Sequence, residues 1–156
     1  MEHEKFMRMA IKLAEDNVEQ GIGGPFGAVV VKDGKVIAKS ANLVTKNNDP
    51  TAHAEVSAIR LACEAMGTFD LTGTVIYTSC EPCPMCLGAI YWARIGTIYY
   101  GNTKQDAAAI DFDDQFIYEE LEQPYEKRQL PIIQLLRTEA LHAFELWKKS
   151  PLKTAY

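Results

Sequence analysis

An α/β domain built on a mixed sheet is what this sequence predicts, and two patterns predict it. Two short apolar runs near the start are joined by a tight turn, and apolar segments from residue 49 to residue 101 then alternate between helix and strand character. A tight turn makes its strands antiparallel, whereas strand–helix–strand passages are right-handed crossovers that leave their strands parallel. With 156 residues, 47% of them hydrophobic and spread along the chain, one sizeable core can close. A single domain over 1–156 is therefore expected.

In chain order, Phe6, Met9, Ala10, Leu13, Ala14 and Val18 recur at helical spacing, and the glycines at 21, 23 and 24 stop that helix. Phe26 to Val31 and Val36 to Ala41 read as strands, because Asp33-Gly34 between apolar runs is a hairpin signal. Asp49-Pro50-Thr51 reads as a helix start, with Asp49 or Thr51 as cap and proline tolerated in the first turn. Thr74 to Thr78 is the next strand, Met85 to Trp92 a helix opened by Pro82 or Pro84, and Thr97 to Gly101 a strand. Tyr99-Tyr100 and Ile132-Ile133 read as apolar pairs packing a sheet.

Composition narrows the function. No stretch nears the roughly 20 apolar residues of a membrane span, and the first twenty residues are charged throughout, unlike a signal peptide. A cytoplasmic location without membrane partners is expected. A net charge of −5, with ten acidic against seven basic side chains in 104–156, disfavours a nucleic-acid partner. Three of the four cysteines crowd into Cys80 to Cys86, which favours metal binding over a disulfide framework.

The chemistry sits in His53-Ala54-Glu55 and Pro82-Cys83-Pro84-Met85-Cys86. One imidazole and two thiolates are a catalytic zinc set, which leaves a fourth position for water. Glu55 is then left beside the metal to move protons. Both motifs fall at predicted helix starts, where exposed N–H groups and the helix dipole favour thiolate. Cys80 and Cys83 form a second Cys-x-x-Cys, so a closed site of three cysteines and a histidine is the competing metal reading; it gives Glu55 no role. Cys80 and Cys63 otherwise read as small buried hydrophobes, and His3 and His142 as surface residues.

His-x-Glu with Pro-Cys-x-x-Cys resembles the signature of the cytidine-deaminase-like zinc deaminases, in which the glutamate is an acid/base and not a ligand. Further matches at Gly23 to Ala28, Asn48 to Glu55, Thr78 to Cys86, Phe112-Asp113-Asp114 and Tyr156 make the whole chain similar to the guanine-deaminase subgroup of bacteria. The resemblance implies a three-layer α/β/α sandwich with a central five-stranded mixed sheet and one Zn2+ per subunit held by His53, Cys83 and Cys86. It also implies a homodimer that can exchange its C-terminal segment, residues 137–156.

The activity it implies is hydrolytic deamination of guanine, a small purine base, with Glu55 and Asp114 catalytic. Alone, Asp113 and Asp114 would read as a solvated pair or a helix cap. By resemblance Asp114 contacts the base, and the N1–H and amine donors of guanine suit a carboxylate, whereas adenine presents an acceptor there. The same resemblance assigns Phe26 to the face of the base, Asn42 and Ala54 to substrate contacts, and Tyr156 to a lid contributed by the partner subunit. Trp92 reads as core, interface or pocket wall. Alternatives are a tRNA adenosine or free nucleoside deaminase of the same superfamily, a zinc-stabilised module without turnover, and a thiol redox protein.

Overall fold

The computed structural model describes residues 2–156. Helix α1 (Glu2–Glu19) buries Phe6, Ala10, Ala14 and Asn17, a spacing that lays one stripe against a sheet. The stripe ends on Asn17 and not on Val18, which is exposed. The reason is polar: Asn17 Nδ2 donates to the carbonyls of Gly24 at 2.8 Å and Asn42 at 2.9 Å. It thereby ties the helix end to two loops.

Strands β1 (Gly27–Lys32) and β2 (Lys35–Ala41) form the expected hairpin. Asp33 and Gly34 both have positive φ, 49° and 72°, the geometry that matches hairpin twist. With β3 (Thr74–Cys80) and β4 (Thr97–Asn102) the sheet order is β2-β1-β3-β4. β1 is antiparallel to β2 and β3, while β3 and β4 are parallel. The crossovers expected after the hairpin thus leave β2, β3 and β4 running in one direction.

Alternation along β1 sorts the core into two layers. Val29 and Val31 join Phe6, Ala10 and Tyr77 under α1. Ala28 and Val30 join Ala54, Ala58, Ala62, Ile76, Ile90 and Ala93, under α3 (Ala54–Met66) and α4 (Pro84–Trp92). Helices cover both faces, so the three-layer arrangement holds. Close approach of α1 requires Gly27, because a Cβ there would lie 2.2 Å from the Ala10 carbonyl oxygen. A short helix α2 (Val44–Asn47), absent from the sequence reading, precedes α3.

The sheet has four strands among the described residues, not five. Ile132 and Ile133 lie in irregular backbone and are 51% and 85% exposed. An apolar β-branched pair becomes a strand only where a neighbour offers a ladder, and Pro131 beside it cannot donate to one.

The chain divides into two compact units, one ending at Gln115 and one over Phe116–Tyr156. The first also holds α5 (Lys104–Ala108), opened by a reciprocal Thr103–Asp106 capping box. α6 (Gln115–Glu122) runs across the boundary, and the second unit continues with a 3₁₀ turn at Tyr125–Lys127 and α7 (Arg137–Lys149). α7 buries none of its residues. Among the described residues no helix is long and apolar enough to cross a membrane.

Candidate active site

Two helix N-termini build the site. α3 begins at Ala54 with His53 in the extended cap position, so neither Asp49 nor Thr51 caps it. Asp49 instead accepts the backbone N–H of Thr51 at 2.9 Å and its hydroxyl at 2.6 Å. An aspartate that closes its own turn two residues on cannot also cap a helix that starts later. Pro50 therefore belongs to this turn, and His53 becomes the last residue before α3. α4 begins the same way: Cys83 is its cap, Pro84 opens it, and the backbone N–H of Cys86 points at Cys83 Sγ from 3.5 Å.

These caps bring residues thirty apart in sequence together. His53 Nδ1 lies 3.5 Å from Cys83 Sγ and 3.4 Å from Cys86 Sγ, and the three donor atoms fall within 4.8 Å of one another. Tetrahedral zinc with bonds of roughly 2.0 Å to nitrogen and 2.3 Å to sulfur places such atoms about 3.5 Å apart. The donors thus fit zinc in both type and spacing, and His53, Cys83 and Cys86 are the group among the described residues that could hold a metal ion. Cys80 is turned away, its Sγ directed to the Thr103 carbonyl at 3.7 Å. Burial pushes its thiol up to about 11, as suits a packed cysteine.

Charge in the cluster is uneven. Contact with Cys86, together with the His53 ring, holds the Cys83 thiol far below the usual range. The same contact, with burial, pushes Cys86 far up. His53 is raised, chiefly by its bond to Cys83. Helix N-termini and an adjacent imidazole are the settings in which thiolate is favoured.

Glu55, in the first turn of α3, is only 6% exposed. Its Oε2 accepts from Cys86 Sγ at 3.5 Å and its Oε1 from the Thr78 hydroxyl at 3.1 Å. Burial raises its pKa, so the carboxyl holds a proton more readily than a surface glutamate. Asp114 is half-buried and also raised, first by burial and further by the Cys83 charge. Its own charge raises His53, so Asp114 belongs to the same electrostatic neighbourhood. Asp113 has the local role: it accepts the Gln115 N–H at 2.8 Å.

Around this cluster, Ala54 is fully buried. Phe26 stacks edge-on against Phe112, with centroids 5.0 Å apart. Its carbonyl accepts the Asn42 N–H at 3.0 Å, and Asn42 Oδ1 in turn accepts from Val44 N at 3.2 Å. Trp92 closes α4 at the end away from the cysteines and is 65% exposed. Tyr156 belongs to the second unit and is 75% exposed. His3 and His142 are both exposed as expected, and His3 also bonds the Tyr77 hydroxyl at 2.7 Å. Sequence reasoning passes over Thr78 and Asn17. Their signal is a polar side chain on a core-facing strand position and on a core-facing helix stripe.

Residues 1–102 match the model of the cytidine and deoxycytidylate deaminase zinc-binding region. The chain belongs to this family of zinc deaminases. Within the zinc deaminases it is 53% identical to the guanine deaminase of Bacillus subtilis strain 168 over 156 residues, all of both proteins. The X-ray structure of guanine deaminase from Bacillus subtilis superposes with a TM-score of 0.97 over 100% of this chain and 99% of that one. A tRNA-specific adenosine deaminase of Agrobacterium fabrum is 44% identical over 115 residues, 74% of this chain and 75% of its own. The deaminase-region match ends at residue 102, where β4 ends, so Asp114 lies outside it.

Proposed function

We propose that this zinc deaminase acts on guanine, converting guanine and water to xanthine and ammonia. The observation that carries the proposal is the pair of carboxylates at one donor set: buried Glu55 against Cys86 and half-buried Asp114 in the field of Cys83 and His53. His53, Cys83 and Cys86 would hold zinc, which would supply the Lewis acidity that brings the pKa of a bound water to roughly 7. Glu55 takes the proton released by that water and delivers it to the ring nitrogen beside the amine-bearing carbon. The hydroxyl now on that carbon gives its remaining proton through Glu55 or Asp114 to the amine, which leaves as ammonia while the oxygen becomes the new carbonyl.

Asp114 selects the ring. Its carboxylate accepts from N1–H and the exocyclic amine of guanine, and faces an acceptor if adenine takes the same place. Phe26 stacks on the base, Asn42 and the backbone at Ala54 bond its polar edge, Trp92 borders the site, and Tyr156 of the partner subunit closes it. Xanthine formation by the zinc-loaded protein, abolished by a chelator and restored by zinc, tests the reaction. A second reading, deamination of adenosine in tRNA, is favoured by the Agrobacterium relative; an acidic chain with net charge −5 argues against it.

The same proposal includes a single deaminase domain per chain in a homodimer that exchanges the segment 137–156. Leu130, Ile133, Leu135, Phe144 and Leu152 are all at least two-thirds exposed, and side chains of this kind are normally covered. β4 stands at the end of the sheet, an edge that invites pairing. Sedimentation should give twice the 17.4 kDa chain mass. A cytoplasmic location accords with four free cysteines.

A further inference from the structure

The two oxygens of Glu55 have different neighbours. Oε2 is 3.5 Å from Cys86 Sγ, on the side of the metal donors. Oε1 is 3.1 Å from the hydroxyl of Thr78, a residue 1% exposed. That hydroxyl also lies 2.9 Å from the Cys80 carbonyl. A glutamate carboxyl can spin about its last torsion with little hindrance, and nothing in Glu55 itself distinguishes one oxygen from the other.

Thr78 supplies the distinction from a rigid mount. It sits in the central strand β3, paired with Ala28 on one side and Tyr100 on the other, and a β-branched side chain holds few rotamers. Its single proton can serve either acceptor. When Glu55 is ionised the hydroxyl donates to Oε1; when Oε2 carries a proton, Oε1 is still an acceptor and the bond survives. The anchor thus tolerates both protonation states that an acid/base must visit.

We infer that Thr78 is a positioning residue for the reaction: it holds Oε1 of Glu55 so that Oε2 alone faces the metal donors and carries protons. This rests on the reading of Glu55 as the acid/base. Thr78→Val keeps the shape and removes the hydroxyl, whereas Thr78→Ser keeps the hydroxyl. A lost supporting bond of this type costs about 10- to 100-fold in activity.

The test compares kcat, KM and zinc content of the full-length zinc-loaded protein with its T78V, T78S, E55Q and T78V/E55Q variants on guanine. Expected is a fall of about 10- to 100-fold in kcat for T78V, with KM within about twofold and zinc retained. T78S should recover to within about threefold, and T78V should add nothing to E55Q, as for residues acting as a unit. If T78V loses zinc, T78A takes its place with the same expectation. Wild-type kcat in T78V beside an impaired E55Q overturns the inference and leaves the Glu55 reading standing; wild-type kcat in E55Q overturns both.

Discussion

Glu55 Oε2 accepts from Cys86 Sγ at 3.5 Å, although the two residues stand at the starts of different helices. A carboxylate that touches one metal donor while standing outside the donor group is placed to exchange protons with whatever occupies the fourth coordination position. Burial adds to this by raising the pKa of Glu55 toward the range in which an acid/base works best.

Glu55→Gln should therefore leave zinc stoichiometry intact and lower kcat by about 10²- to 10⁴-fold. Metal analysis alongside steady-state kinetics checks this. Loss of zinc in step with activity would instead make Glu55 a structural support of the donor set.

Chelation should unmask one fast thiol. Cys83 is pulled down by Cys86 and His53 and is only half-buried. Cys86 is pushed up and buried, Cys80 stands at about 11, and burial raises Cys63. Because the thiolate is the nucleophile, alkylation at pH 7 followed by peptide mapping should label Cys83 first in metal-free protein. The zinc-loaded form should label slowly throughout. Equal labelling of Cys80 and Cys83 after chelation would contradict the geometry.

Asn17→Ala removes two donor bonds, to Gly24 and Asn42; the Gly24 carbonyl keeps the Phe26 N–H, whereas the buried Asn42 carbonyl loses its side-chain donor. A buried group left unsatisfied costs about 1–3 kcal/mol, which denaturant unfolding should report. The loops it ties carry Phe26 and Asn42, so KM should rise more than kcat falls.

Sequence alone makes the donor set legible, because His53, Cys83 and Cys86 lie in short motifs at helix starts and ligand chemistry depends on residue type and spacing. It does not reveal which residue caps α3. Asp49, Thr51 and His53 all stand before the apolar run, and only the Asx turn at Asp49 settles that the helix waits until Ala54. The hairpin is legible from Asp33-Gly34, whereas the absence of a fifth strand is not, since a strand at Ile132-Ile133 depends on a partner edge that no local pattern encodes. Thr78 escapes for a related reason: its importance comes from facing Glu55 across the layer between β3 and α3, a contact between residues 23 apart.

The most direct measurement is ammonia release from guanine, adenine, cytosine, cytidine and an adenosine-containing tRNA stem-loop by zinc-loaded wild type and Asp114→Asn. Zinc-dependent turnover of guanine alone is predicted for the wild type. D114N should lose about 10-fold or more in kcat/KM on guanine and narrow its preference over adenine, because the paired donors of guanine lose a charged acceptor. Turnover of the stem-loop with guanine inert, or an unchanged substrate profile in D114N, would contradict the assignment of guanine recognition to Asp114.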